Sequence, residues 1–129
     1  MILVDTCVWS EHFKQTDLTL VGLLQVGQVL SHELVIGELA CGTPPAPRAS
    51  VLAEIGRLPS AGVATVQEAI RLLDREKLFG RGLGLGLGLI DMLLLASTLI
   101  TPGARLYTLD KRLDAAARQL GVAYGAAAH

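Results

Sequence analysis

The chain opens with Met1-Ile-Leu-Val-Asp5-Thr-Cys7, a stretch in which four apolar residues run directly into an acid. The apolar run favours β-structure and is short, so it predicts a buried strand that ends at Asp5. An ionised carboxylate in apolar surroundings is costly unless it is paired or bound to a metal. The opening stretch therefore predicts both a strand and a charged group that needs a partner.

Short apolar strands alternate with helical segments along the rest of the chain. Further strands are predicted at residues 29–30, 63–66 and 106–109, with an edge strand at 122–124. Helices are predicted at residues 9–13, 17–26, 33–41, 50–58, 67–79, 90–100 and 111–120. This alternation favours an α/β fold with a mainly parallel sheet. The length of 129 residues fits one domain over residues 1–129.

Three further acids share the character of Asp5. Glu38 lies in an apolar segment, Asp91 interrupts the most hydrophobic stretch, and Asp110 ends a short apolar run. Asp5 and Asp110 both follow a predicted strand, and ligands of open α/β sheets bind at the carboxyl ends of strands. Glu38 and Asp91 lie on helices that can present them to the same edge. A set of oxygen donors selects Mg²⁺ or Mn²⁺, which suits hydrolysis of a phosphodiester.

Each of the four acids also has a purely structural interpretation. Asp5 and Asp91 are both explained as acids that cap or begin a helix. Glu38 is explained as a solvent-facing helix residue, and Asp110 as a turn residue beside Lys111. The joint pattern favours the metal site, because all four acids fall where a parallel sheet would gather its ligands.

Several polar residues near the acids are candidates for supporting roles. Thr6 and Thr108 are placed to orient a carboxylate or a water, and they are equally well explained as capping hydroxyls. Asp114, one turn after Asp110, is either an acid that supports the metal ligands or an exposed helical residue. Basic residues flank the last two acids and either hold phosphates or form a solvated charged face: Arg81, Lys111 and Arg112.

The composition excludes a disordered chain, since 51% of residues are hydrophobic and 18% are charged. The net charge of −1 does not by itself indicate a nucleic-acid binder. If four of the twelve acids occupy a metal site, the other eight face eleven bases, and the remaining surface is mildly basic. His12 and His32 have no metal-type spacing and are expected at the surface or as helix caps.

The hydropathy raises the question of a membrane span at residues 83–100, which contain one charge, Asp91. Repeated glycine in the first half disfavours a long helix, so a buried helix of a soluble domain is expected at residues 90–100.

The start of the chain lacks the features of a secretory leader. Cys7 and Cys41 are therefore expected to be buried, reduced thiols. Together these features indicate a cytoplasmic protein without membrane association.

Four motifs surround the acids in a fixed order: Val4-Asp-Thr-Cys-Val-Trp9, Glu38-Leu-Ala40, Gly88-Leu-Ile-Asp-Met-Leu-Leu-Leu-Ala-Ser97 and Leu106-Tyr-Thr-Leu-Asp-Lys-Arg-Leu113. These motifs resemble the PIN-domain family, and more narrowly the VapC-type toxins of bacterial toxin–antitoxin pairs. The resemblance covers essentially the whole chain. It implies a three-layer α/β/α domain with a mainly parallel central sheet of four to five strands.

The resemblance further implies an endoribonuclease that depends on Mg²⁺ or Mn²⁺. The family's acidic quartet matches Asp5, Glu38, Asp91 and Asp110, which would bind the metal directly or through water. The metal would activate water for attack on cellular RNA. The family also implies a homodimer and a cognate VapB-type antitoxin whose C-terminal segment blocks the acidic cleft.

Two departures from the family pattern concern the approach to the acids. The Leu-Gly tract at residues 83–89 is longer than in relatives and contains no aromatic residue, and Cys7 stands where a serine is frequent.

A phosphotransferase of the haloacid dehalogenase type would need a second Asp at position 7. A receiver domain would need adjacent acids in its first loop. A non-catalytic interaction module, with an acidic pocket that binds a basic partner segment, stays open as the alternative.

Overall fold

The computed structural model describes residues 1–80 and 87–125. Its sheet has three parallel strands in the order β2-β1-β3, namely β1 Ile2–Val4, β2 Val29–Leu30 and β3 Arg105–Tyr107. The central residue Leu3 pairs with Leu30 on one side and Leu106 on the other. Because β1 has a neighbour on both sides, all three of its residues are buried.

Seven helices accompany these strands within the described residues: α1 Thr6–Lys14, α2 Leu18–Gln25, α3 Glu33–Cys41, α4 Arg48–Gly56, α5 Val66–Arg75, α6 Leu89–Ile100 and α7 Lys111–Gln119. Helix α1 packs against α3, and α6 packs against α5, α7 and β3. The middle of α6, from Met92 to Thr98, is entirely buried. None of the helices in the described ranges is long and apolar enough to cross a bilayer.

The predicted α/β fold with a parallel sheet is confirmed, but the sheet is smaller than expected. The described residues supply three strands, and the predicted total of four to five strands in three layers stays a prediction. At the predicted edge strand, Ala123 forms a single parallel bridge with Leu106.

The predicted strand at residues 63–66 is wrong. This segment leads into α5, which begins at Val66 with Thr65 as its N-cap. The Thr65 hydroxyl accepts from the Glu68 N–H at 3.1 Å, and the Glu68 carboxylate accepts from the Thr65 N–H at 3.0 Å. This reciprocal capping box starts a helix, and its local hydrogen bonds outweigh the β-propensity of the sequence.

Two further expectations need correction. The helix predicted at residues 9–13 begins earlier, at Thr6, because Asp5 caps it directly after β1. Cys7 and Cys41 are free thiols, as expected, but Cys41 is exposed at the end of α3 and Cys7 is half-buried.

Candidate functional site

The carboxyl ends of β1 and β3 lie side by side, and this edge positions the first acid. Val4 pairs with Tyr107 at the ends of the two strands, so Asp5 and Thr108 directly follow neighbouring strands. The Thr108 hydroxyl donates to Asp5 Oδ2 at 2.7 Å, and the Asp5 N–H donates to the Tyr107 carbonyl at 3.0 Å. Asp5 is only 6% exposed. The sheet therefore fixes a nearly buried carboxylate beside a hydroxyl group.

Asp5 also begins helix α1. Its Oδ1 atom accepts from the Thr6 N–H at 2.7 Å, so the capping interpretation is confirmed. The Cys7 thiol donates to Asp5 Oδ2 at 3.3 Å and accepts from the Leu109 N–H at the same distance. Burial, followed by the negative charge of Asp5, raises the pKa of the Cys7 thiol. Cys7 is therefore a protonated donor that helps to hold Asp5.

Glu38 is linked to this edge through α1. The Thr6 hydroxyl donates to Glu38 Oε1 at 2.6 Å, a contact between residues 32 positions apart. Although Glu38 is exposed, this bond between α1 and α3 ties its carboxylate to the residue that follows Asp5. It is therefore more than a solvent-facing residue of α3.

Asp91 occupies the first turn of α6, after the N-cap Gly88. Burial raises the pKa of Asp91, and the charges of Asp5, Asp110 and Glu38 raise it further, while a hydrogen bond from the Gly88 backbone lowers it. All three other predicted acids thus act on Asp91. Asp5, Asp110 and Glu38 therefore lie near enough to Asp91 for their charges to act on it.

Asp110 combines a capping role with its place at this edge. Its Oδ1 atom accepts from the N–H groups of Arg112 and Leu113 at 2.9 and 3.1 Å, which caps α7. Its own N–H donates to the Thr108 hydroxyl at 3.1 Å. Since the same hydroxyl donates to Asp5, Thr108 bridges the acids that follow β1 and β3.

The remaining predicted residues differ in how they relate to this site. Lys111 and Arg112 are exposed at the start of α7, and Arg112 Nε lies 4.0 Å from Asp110 Oδ1. Asp114 is buried and accepts from Arg118 Nε at 2.8 Å, so its supporting role stays a prediction. Arg81 and residues 83–86 of the Leu-Gly tract lie outside the described residues.

The oxygen donors at this site fit a hard cation. Burial raises the pKa of Asp91, and repulsion from the neighbouring acids raises it further; a bound divalent cation would favour the ionised form again. In residues 1–80 and 87–125, no group of three or more His, Cys, Asp or Glu side chains is already arranged to hold a metal ion. This arrangement is compatible with Mg²⁺, which keeps several waters and is often bound by one or two carboxylates.

A groove beside Glu38 was not predicted from the sequence. Ser10, Phe13 and Lys14 of α1 line it, together with residues of α3 and segment 42–45. The available signal was helical spacing, since these α1 residues follow Thr6 by four, seven and eight positions. The burial of His32 was not predicted either: the residue is fully buried, and its side chain caps α3.

Comparison with known proteins gives matches that span nearly the whole chain. The family model of the PIN domain matches residues 2–119, a range that contains all four acids. The chain is also 46% identical over 123 residues to ribonuclease VapC32 of Mycobacterium tuberculosis, both in strain CDC 1551 / Oshkosh and in strain ATCC 25618 / H37Rv. Each alignment covers 95% of this chain and 95% of the relative.

Proposed function

The chain belongs to the PIN-domain family, as a VapC-type member, and from this premise we propose that it is a metal-dependent endoribonuclease toxin. Its substrate would be cellular RNA, cut by hydrolysis of phosphodiester bonds. The observation that carries the proposal is the meeting of two acids at the strand ends, where the Thr108 hydroxyl donates to Asp5 and accepts from the Asp110 N–H. Burial raises the pKa of Asp91 beside them, and the charges of Asp5, Asp110 and Glu38 raise it further. Such a concentration of negative charge disfavours an anionic substrate unless a cation is present. The proposal therefore includes Mg²⁺ or Mn²⁺ as cofactor.

The four acids would hold the ion, directly or through water. A bound Mg²⁺ or Mn²⁺ supplies a Lewis acid that polarises the phosphodiester and activates water. The protein's own contribution is to fix the acids in place. Thr108 holds Asp5, Thr6 holds Glu38, and the first turn of α6 presents Asp91. Lys111 and Arg112, exposed beside Asp110, would bind phosphates of the RNA backbone.

The remaining parts of the proposal concern assembly and partners. We propose a single PIN-like domain over residues 1–129 that acts in the cytoplasm as a homodimer. A cognate VapB-type antitoxin would inhibit it by covering the acidic site. The support for these statements is the likeness to the VapC-type proteins over nearly the whole chain.

A cleavage assay with matched carboxamide variants tests the activity. The purified parent protein should cut RNA in Mg²⁺ or Mn²⁺, and Asp91→Asn and Asp5→Asn should each lower the rate by about 100-fold or more, since several kcal/mol of charge stabilisation depends on the acids. Asp74→Asn makes the same change at an exposed position on α5 and serves as the control.

Two outcomes would contradict the proposal. Equal cleavage by the parent and by both site variants would assign the activity to a contaminant. Metal binding without cleavage of any RNA would favour the alternative, a non-catalytic module whose acidic pocket binds a basic partner segment.

A further inference from the structure

A groove opens beside the acidic site, and apart from Glu38 its lining residues have no role in the function proposed above. Its cavity volume is about 390 Å³. We call it the Phe13 groove and define it by Ser10, Phe13 and Lys14 of α1, Glu38 and Leu39 of α3, and segment 42–45. Sites for small ligands and cofactors span about 300–1,000 Å³, so the groove is large enough for one group of that size.

The groove continues directly from the acids. Thr6, Ser10, Phe13 and Lys14 recur at helical spacing and share one face of α1. At this face the Thr6 hydroxyl donates to Glu38, which also lines the groove. Lys14 lies eight residues beyond Thr6, roughly 12 Å along the helix at 1.5 Å per residue. A linear polymer bound at the acids can therefore extend into the groove.

Phe13 gives the groove a surface on which a nucleobase can stack. Its half-buried ring lies 6.3 Å from the ring of Trp9 and 6.2 Å from that of His12, between ring centroids. These neighbours support the ring from within the protein. Of the aromatic residues in the described part of the chain, Phe13 is the one that lines this groove. Aromatic side chains in this setting bind bases with little dependence on sequence.

Lys14 gives the groove a positive charge at the end away from the acids. It is exposed, and within residues 1–80 and 87–125 it forms no ion pair. An unpaired ammonium group is suited to a phosphate of a nucleic-acid backbone. Ser10, one turn before Lys14, adds a hydroxyl that donates or accepts. A ring, a cation and a hydroxyl on one face match the base, phosphate and ribose of a nucleotide.

We propose that the Phe13 groove binds a nucleotide of the RNA strand next to the scissile phosphodiester, with its base against Phe13 and a phosphate at Lys14. This inference rests on the proposed function, because it takes RNA to be the substrate. Phe13 and Lys14 are then substrate-binding residues, and the chemical step stays with the acids.

The test separates binding from chemistry. Fluorescently labelled single-stranded RNA 12-mers of A, C, G and U are titrated with Asp91→Asn protein in Mg²⁺, with and without a second change. Phe13→Leu keeps an apolar side chain without the ring, and Lys14→Gln removes the charge. Each should weaken binding by about tenfold. Arg71→Gln, an equal loss of charge in the groove between α5 and α6, should leave the affinity within about twofold. Urea unfolding of each variant verifies that it is folded.

Cleavage by the otherwise unchanged protein provides the second readout. Phe13→Leu and Lys14→Gln should raise KM by a similar factor and change kcat by less than about twofold. If the parent cuts RNA and both variants retain its KM and its RNA affinity, the subsite is overturned while the function stands. If the parent cuts no RNA, the function fails, and the binding titration alone decides the subsite. Parental RNA affinity together with a weakened antitoxin complex would assign the groove to a protein partner and overturn the proposal.

Discussion

At the scale of single residues, His32 shows how a buried side chain links the helices that carry two of the acids. Its Nδ1 atom accepts from the Leu34 N–H at 3.0 Å, and its Nε2 atom lies 2.9 Å from Ser97 Oγ. Because Nδ1 accepts, Nε2 carries the hydrogen and donates to Ser97. Ser97 Oγ also accepts from the Ala64 N–H at 3.0 Å. A neutral His32 therefore joins α3, which carries Glu38, to α6, which carries Asp91.

We expect His32 to make the stability of the protein depend on pH. Burial lowers the pKa of His32 from 6.5, while Glu33 has a smaller, opposite effect. As the pH falls below about 6.5, the unfolded chain takes up this proton before the folded protein does. The contribution of His32 is therefore fully present above pH 6.5, and it is lost as the pH falls through the lower folded pKa.

The measurement is urea unfolding of the parent and of His32→Asn at pH 7.5 and pH 5.5. Asn keeps a capping oxygen for α3 but does not titrate, so the variant should lose less stability on acidification than the parent. At pH 7.5 it should be less stable than the parent by about 1–3 kcal/mol, since a buried hydrogen bond to Ser97 is lost. An equal loss in both proteins between the two pH values would show that His32 does not titrate as described.

At the scale of elements, the C-terminal segment is attached to both β3 and α7. Leu106 donates to the Val122 carbonyl at 2.7 Å and accepts from the Tyr124 N–H at 2.9 Å. Arg118 of α7 donates to Asp114 Oδ2 at 2.8 Å and to the Gly125 carbonyl at 3.1 Å. The pair of Asp114 and Arg118 therefore connects α7 to the segment that lies along β3.

A double-mutant cycle at Asp114 and Arg118 measures this connection. Their side chains are 10% and 29% exposed, respectively. The stabilisation from this salt bridge should therefore lie between that of a fully exposed pair and that of a fully buried pair. Asp114→Ala and Arg118→Ala should each lower the free energy of unfolding by about 1–3 kcal/mol, with a coupling energy of about 1 kcal/mol. Fully additive losses would show that the two side chains stabilise the protein independently.

The elements also show which features sequence alone could predict. The capping box of Thr65 and Glu68 is a local pattern, readable from a spacing of three residues, although β-branched residues pointed to a strand. The bond from Thr6 to Glu38 is different, because it depends on how α1 packs against α3. No local spacing predicts that packing. The sequence could therefore suggest Glu38 as a metal ligand, but it could not show that Thr6 donates a hydrogen bond to it.

At the scale of the whole molecule, the parallel sheet explains why the proximity of Asp5 and Asp110 was predictable and the Phe13 groove was not. Acids that follow parallel strands meet at one edge whatever the details of packing, which places Asp5 near Asp110. The groove requires the relative position of α1, α3 and segment 42–45. Such an arrangement of three separate parts depends on tertiary packing, which a spacing pattern does not specify.

The proposed cation site also predicts how the whole molecule responds to metal. Without a cation, the burial of ionised Asp91 and its repulsion by the neighbouring carboxylates oppose folding, as the raised pKa of Asp91 indicates. Mg²⁺ or Mn²⁺ should therefore raise the free energy of unfolding, by about 2.7 kcal/mol at a concentration one hundred times Kd. Asp91→Asn removes one of the repelling charges. It should be more stable than the parent in EDTA and gain less from metal.

Urea unfolding in EDTA and in Mg²⁺ or Mn²⁺ measures both effects, with NaCl added to equalise the ionic strength, because salt alone screens the repulsion. Asp74→Asn, the exposed control on α5, should keep the full metal response of the parent. If the EDTA curves of the parent and Asp91→Asn coincide and metal stabilises neither protein, the four acids do not form a shared cation site. A metal response retained by Asp91→Asn but lost in Asp5→Asn would instead centre the cation on the strand ends.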